Sequence, residues 1–155
     1  MIQLKARSAG GFELTDKKAT LFLEGNKVQL GDQTFDQAGE YESAGIEIVY
    51  GPNAVLIVWE RLQLVYIFNS DAPSNFEKGQ FASCDILILD GISEELNKNN
   101  LTTIFDSYDP KIVVVNQSTP LESSFKESLK LQETTLLKLT EQSLPVEGRE
   151  SYLVI

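Results

Sequence analysis

Two stretches, CDILILDGI at residues 84–92 and DPKIVVVNQ at residues 109–117, decide the fold of this chain. Each contains a short, unbroken apolar run, which is typical of a β-strand covered on both faces. Between them, Ser93 precedes two glutamates and is a suitable helix N-cap. An apolar stripe at helical spacing follows it, at Leu96, Leu101, Ile104 and Phe105. The pattern predicts strand–helix–strand units, in which helices cover a face of the sheet.

Short β-strands separated by turns are predicted for the residues before this region. A hairpin is indicated at Glu24–Lys27, and Glu60-Arg61 joins two apolar runs into another. The predicted strands cover residues 12–14, 19–23, 27–30, 44–50, 54–59, 62–68, 85–90, 111–116, 134–139 and 152–155. Residues 71–75 are predicted to form a loop. We therefore predict one α+β domain over residues 1–155, a β-rich layered αββα-type sandwich with antiparallel and mixed sheets and few helices.

The composition excludes several classes of site. The 155 residues include 13 Lys and Arg against 23 Asp and Glu, a formal charge of −10, and 0 His. Without histidine, Ser-His-Asp and Cys-His catalysis and all His-containing zinc sites are excluded. No basic patch of the kind that binds nucleic acid is present.

The expected compartment is the cytoplasm. Cys84 is the single cysteine and cannot form an internal disulfide. The first residues, MIQLKARSAGG, lack the apolar core of a signal peptide. The longest apolar run, Ala54–Trp59, is far shorter than the roughly 20 residues that span a membrane. We expect no membrane and no nucleic-acid partner.

Five segments follow one another in a recognisable order. They are GEYE at 39–42, which we predict to be a turn with Gly45 starting the next strand, the strand pair AVLIVW and LQLVYIF, then CDILILDGI, DPKIVVVNQ and finally KLTEQSLP at 138–145. In order and spacing they resemble the small branch of metal-dependent hydrolase-like proteins in the metallo-β-lactamase fold superfamily. The resemblance covers residues 33–155 well and residues 1–30 loosely.

The departures from that pattern concern the metal ligands. The resemblance implies an H-x-H-x-D-H motif before the GEYE segment, but that part of the chain has no histidine. We expect the metal-binding loop and helices of the N-terminal half to be missing. The family's bridging aspartate aligns with Ser70, one residue before Asp71, and its terminal histidine aligns with Gln117. The resemblance therefore indicates a degenerate member that has lost its metal-binding motif, with no catalytic, cofactor or metal site.

Four carboxylates could still carry chemistry: Asp71, Asp85, Asp90 and Asp106. Carboxylates at strand ends can bind hard cations, although they cap turns and helices more often. Asp90 is the best of them because it ends a buried strand and precedes a glycine. If any activity remains, the vestigial positions are Asp71, Asp90 and Gln117. Core or structural roles are favoured for Cys84, Trp59, Tyr66 and Phe68.

Three functions compete. The first is a metal-free domain that is not an enzyme, uses no cofactor and acts as a protein-interaction or assembly module. The alternatives are a small-ligand binding domain that uses the vestigial pocket, or a hydrolase in which Asp71, Asp90 and Gln117 hold one hard cation. The missing helices should leave apolar surface open on the strands at 55–59 and 62–68. We therefore expect a protein partner or a second copy, most simply a homodimer.

Overall fold

Two β-sheets pack face to face in the computed structural model, which describes residues 1–89, 98–119, 121 and 123–155. Fourteen strands form them: β1 Ile2–Ala6, β2 Phe12–Thr15, β3 Thr20–Glu24, β4 Lys27–Leu30, β5 Gln33–Phe35, β6 Gly39–Ser43, β7 Ile46–Tyr50, β8 Ala54–Trp59, β9 Leu62–Ile67, β10 Ile86–Leu89, β11 Ile112–Asn116, β12 Gln132–Thr134, β13 Leu137–Leu139 and β14 Glu150–Val154. Within the described residues, three α-helices accompany them, α1 Asn75–Gln80, α2 Lys98–Tyr108 and α3 Ser123–Leu129, together with a 3-10 helix at Glu141–Ser143. None of the described helices is long and apolar enough to cross a membrane.

The six-stranded sheet is antiparallel, with the order β13-β1-β2-β3-β4-β5. Its residues alternate between a buried and a polar face, as the two-residue period of a strand requires. Leu4 and Val28, for example, are buried, whereas Lys5 and Gln29 are exposed. The outward face is polar enough to contact water without a further layer.

The eight-stranded sheet is mixed, with the order β12-β14-β11-β10-β9-β8-β7-β6. The strands from β6 to β9 pair antiparallel, and β9, β10, β11, β14 and β12 run parallel. Ile67, Leu89 and Val115 lie side by side in register at the carboxyl ends of β9, β10 and β11. The carboxyl ends of these three strands therefore lie at one edge of the sheet.

The eight-stranded sheet is covered on both faces. One core cluster combines its inward residues with those of the six-stranded sheet, and Trp59 and Tyr66 belong to it. A second cluster combines its other face with residues of α2, such as Leu101 and Ile104. Cover on both faces explains the continuous apolar runs of β8 and β9. The expectation of an open apolar surface on these two strands was therefore wrong.

The predicted β-rich α+β fold with antiparallel and mixed sheets and few helices is confirmed, but three local predictions were wrong. The GEYE segment is strand β6 rather than a turn. The predicted strand at 134–139 is two strands, because β12 joins the eight-stranded sheet and β13 the six-stranded one. The predicted loop at 71–75 ends at Asn75, where α1 begins. The start of the helix predicted from Ser93 lies outside the described residues, and the αββα layer order stays a prediction.

A polar contact joins the sheets near the β2–β3 turn. Asp16 accepts hydrogen bonds from the backbone N–H groups of Lys18 and Ala19 at 2.7 and 2.8 Å, and from the indole of Trp59 at 2.9 Å. Partial burial by itself would raise the pKa of Asp16, but the hydrogen bonds outweigh it. They hold the pKa of Asp16 below its ordinary value of 3.8.

We expect Asp16→Asn to lower the urea midpoint at pH 7, by an amount that shrinks as the solution is acidified. Because the pKa of this carboxyl is lower in the folded chain than in the unfolded chain, its contribution is present above the unfolded pKa. The contribution is lost as pH falls through the folded pKa. Urea titrations at pH 7, 5, 4 and 3 measure this, with Asp32→Asn on an exposed turn as the control. A difference from wild type that is constant over this range would contradict the expectation.

Candidate functional site

Two of the three vestigial positions can be located at one edge of the eight-stranded sheet. Asp71 follows β9 by four residues and Gln117 follows β11 by one residue, and both are exposed. Strand β10 lies between β9 and β11, which separates the two strands by about 10 Å. Asp90, which follows Leu89 in the sequence, lies outside the described residues. Asp71 and Gln117 thus follow strands that end at the same edge of the sheet, but these two strands are not neighbours.

Asn116 is a functional candidate that the sequence reasoning missed. It is the last residue of β11 and is only 4% exposed. Its Nδ2 donates at 3.0 Å to the carbonyl of Gly11, which directly precedes β2 of the other sheet, and its Oδ1 accepts from the N–H and Oγ of Ser118 at 2.9 and 3.0 Å. The available signal was a polar residue that directly ends an apolar strand. Asn116 therefore connects the two sheets at the edge where the vestigial positions emerge.

The residue that accepts from Asn116 is a glycine because its backbone lies very close to that of Leu23. Gly11 has φ +81° and a Cβ built on it would lie 2.0 Å from the carbonyl oxygen of Leu23. Beyond the end of β11, Thr119 Oγ1 donates to the carbonyl of Leu89, the last residue of β10, at 3.0 Å. The side chains of Asn116 and Thr119, near the carboxyl ends of β10 and β11, therefore form hydrogen bonds within the protein.

A buried glutamate fixes the segment that carries Asp71. Glu77 is 0% exposed, and its carboxylate accepts from the backbone N–H and Nδ2 of Asn53 and from the N–H of Ser74, each at 2.9 Å. Ser74 Oγ in return accepts from the N–H of Glu77 at 3.1 Å, which completes a capping box. Asn53 Nδ2 also donates to Ala72 at 3.3 Å. The sequence reasoning overlooked this S-x-x-E signature at residues 74–77.

The other two candidate carboxylates lie elsewhere. Asp85 precedes β10, at the opposite end of that strand from Leu89, and accepts from the N–H of Gln63 at 2.8 Å. It also pairs with Lys111 at 3.9 Å. Asp106 is exposed on α2. Asp85 thus contacts β9 and Lys111 within the fold, and neither Asp85 nor Asp106 joins Asp71 and Gln117.

Cys84 and the grooves of the surface add no group to this edge. The Cys84 thiol is 1% exposed, and burial raises its pKa well above the ordinary value. One groove of about 570 Å³ lies beside α3, and another of about 580 Å³ lies at the Pro110–Lys111 end of β11. Neither is lined by Asp71 or Gln117. These grooves give no support to a small-ligand pocket at the vestigial positions.

Comparison with known proteins gives one structural match. No model of a known protein family matches the chain, and no curated protein matches it. A solved structure from Thermotoga maritima, described as a proposed zinc-dependent hydrolase of the metallo-β-lactamase superfamily, matches with a TM-score of 0.73 and 10% identity over 100% of both chains. This chain has the metallo-β-lactamase fold. The resemblance found in the sequence is thereby confirmed for the fold.

The same comparison corrects the prediction that the chain is not an enzyme. The protein with this metallo-β-lactamase fold is itself described as a proposed hydrolase, and no observation on the present chain demonstrates inactivity. Inferring inactivity from missing histidines alone was wrong, because carboxylate, amide and backbone groups can also support catalysis.

The residues present do not fit a dinuclear zinc centre of the metallo-β-lactamase type. The chain has 0 His, and Gln117 supplies only a neutral amide at the position aligned with a terminal ligand. Within residues 1–89, 98–119, 121 and 123–155, no group of three or more His, Cys, Asp or Glu side chains could hold a metal ion. A site with oxygen ligands for one hard cation is the form of metal binding that matches the vestigial residue types.

Proposed function

We propose that this chain is a cytoplasmic protein-interaction module built on the metallo-β-lactamase fold. The observation that carries the proposal is the open edge at β6, where Gly39, Glu40 and Glu42 are exposed. This edge strand has five residues, whereas β5, β12 and β13 at the other three edges have three each. A long exposed edge presents unpaired backbone groups with which another chain can pair.

The residues near the carboxyl ends of β9 and β11 also favour the binding of a protein at the surface over the binding of a small ligand in a pocket. Asn116 and Thr119 use their side chains for hydrogen bonds within the protein, and Glu77 ties the segment before α1 to Asn53. Groups bonded in this way are less available to a ligand, because each would have to exchange an existing hydrogen bond. Among the described residues, β6 is the last strand of its sheet and no loop or helix backbone bonds to its backbone groups.

In-cell photo-cross-linking tests the proposal. A benzophenone amino acid at position 42 should give a discrete adduct with a second protein chain. The same amino acid at position 29, on the exposed face of the six-stranded sheet, is the matched control and should give none. The absence of an adduct at position 42, or equal adducts at both positions, would contradict an interaction edge at β6.

A hydrolase with one hard cation held by Asp71, Asp90 and Gln117 is the second candidate function. The observation in its favour is the register of Ile67, Leu89 and Val115, because the carboxyl ends of the three strands lie at one edge of the sheet. Calorimetric titration with Mg²⁺ and Mn²⁺ should then show one site, lost in Asp71→Ala and kept in Asp106→Ala. No binding heat, or equal binding in both variants, would exclude this candidate.

A further inference from the structure

The geometry of the β6–β7 hairpin determines which backbone groups of β6 are free. Ser43 and Ile46 pair in register, and the two residues between them, Ala44 and Gly45, have φ values of +53° and +76°. This is the two-residue type I′ turn, whose flanking residues form a hydrogen-bonded pair. Because hydrogen-bonded and non-hydrogen-bonded pairs alternate, Glu40 and Glu42 direct their N–H and C=O groups away from β7.

The side chains of these two glutamates lie on the face of the sheet that carries the helices. Ile46 and Ile48 point into the core between the sheets, so Glu47 points to the opposite face. Glu42 is directly opposite Glu47 in the register and Glu40 is opposite Val49, which places both on that face. We call Glu40, Glu42 and Glu47 with the free backbone of β6 the acidic edge.

The acidic edge contains an unfavourable contact. Glu42 and Glu47 form a non-hydrogen-bonded pair, in which opposite side chains approach most closely. Like charges directly opposite one another destabilise a sheet. No described cation pairs with Glu40, Glu42 or Glu47 within salt-bridge distance. A cation from outside the chain would therefore relieve repulsion that the fold itself leaves in place.

A second copy of the chain would not supply the cations that Glu40, Glu42 and Glu47 lack. If two β6 strands paired antiparallel through their free backbone groups, Glu40 or Glu42 of one copy would lie opposite Glu40 or Glu42 of the other. The chain as a whole, with a charge of −10, adds long-range repulsion between copies and attraction for a cationic partner.

We propose that the acidic edge binds an extended basic segment of another protein, which adds to the eight-stranded sheet as a strand beside β6. This rests on the proposed interaction function and names its partner. Residues of the added strand opposite Glu40 and Glu42 are Lys or Arg, whose side chains reach the acidic edge. The residue between them is apolar, since it lies beside the half-buried ring of Tyr41, which packs on Phe35 with ring centroids 4.6 Å apart. The recognised pattern is basic–apolar–basic.

A fluorescein-labelled peptide with Lys-Val-Lys between threonine-rich flanks tests this by fluorescence anisotropy. A control peptide with Lys-Lys-Val at the same place has equal charge but cannot present both lysines on one face. We expect the first peptide to bind at least about tenfold more tightly than the control, and its binding to weaken as NaCl is raised from about 50 to 500 mM.

Two variants separate the charge from the backbone. Glu40→Gln with Glu42→Gln should weaken peptide binding at least about tenfold and raise the melting temperature by about 1–2 °C, because it relieves the Glu42–Glu47 repulsion. Glu13→Gln with Glu133→Gln makes the same change in net charge away from the acidic edge and should bind as wild type does. Glu42→Pro should abolish binding, since proline removes the free N–H while an edge strand tolerates it.

The outcomes distinguish this proposal from the proposed function. Equal binding of both peptides, equal loss in the two glutamine pairs, or no binding of Lys-Val-Lys would overturn a basic strand as the partner. Cross-linking at position 42 would then still identify β6 as an interaction edge for another kind of chain. An adduct with twice the mass of the chain would overturn the basic partner in favour of a second copy.

Discussion

Glu77→Ala should be among the most destabilising single substitutions in this protein, with a loss of about 4 kcal/mol in the free energy of unfolding. The carboxylate accepts from two donors of Asn53 and one of Ser74 in a fully buried position. Removing it takes this acceptor from two buried donors of Asn53 and from the half-buried N–H of Ser74, and only Asn53 Nδ2 keeps another partner, the carbonyl of Ala72. Urea unfolding followed by circular dichroism measures the loss.

Two further variants make this expectation specific. Glu77→Gln retains the volume but places an NH₂ group among donors, so we expect a loss of about 2 kcal/mol. Glu127→Ala, on the exposed face of α3, is the matched control and should change stability by no more than about 0.5 kcal/mol. If Glu77→Ala cost no more than the Glu127 control, the Asn53–Ser74 hydrogen bonds would not stabilise the fold as argued.

Gly11→Ala should lower stability by about 3 kcal/mol or more. The residue has φ +81°, which strains any L side chain, and the added Cβ would lie 2.0 Å from the backbone oxygen of Leu23. Relief requires β2 and β3 to shift, which also moves the carbonyl that accepts from Asn116. Differential scanning calorimetry of the variant measures the effect.

The neighbouring glycine provides the control for steric overlap. Gly10 has φ +100° but nothing within 4 Å of a built Cβ, so Gly10→Ala should cost only the conformational strain, about 1 kcal/mol. Equal losses in the two variants would show that close approach to Leu23 contributes nothing.

The apolar patterns predicted the strands of the eight-stranded sheet well because they record burial. The runs at β8, β9, β10 and β11 are each covered by the other sheet on one side and by helices on the other. A strand buried on both faces is apolar at nearly every position, so it can be recognised in the sequence without knowing which strands lie beside it. The β-rich fold class followed from these runs.

The missed elements are those whose burial is slight or whose partners are distant. Strand β6 has the polar sequence GEYES at an exposed edge, so nothing in its pattern resembles a core strand. The separation of β12 from β13 depends on pairing with β14 in one case and β1 in the other. Local propensity contains no information on such long-range pairing.

The vestigial positions were predicted from a resemblance and the structure added what they contact. Asp71 and Gln117 emerge at the edge expected for strand ends, but Asn116 and Glu77, which fix that region, were not singled out. Their roles depend on Gly11 and Asn53, which lie 105 and 24 residues away in the chain. Hydrogen bonds between residues so far apart follow from the tertiary fold rather than from a local motif.

The pairing of β1 with β13 has a consequence for synthesis on the ribosome. Ile2 lies opposite Leu139, so β1 gains its second neighbour only after β13 has been synthesised. Contacts of such long sequence separation slow folding. During that wait the buried residues of β1 and β2 are exposed on an incomplete sheet, the period in which nascent chains are most prone to aggregate. The high density of acidic residues in this protein would then keep nascent copies apart until β13 pairs with β1.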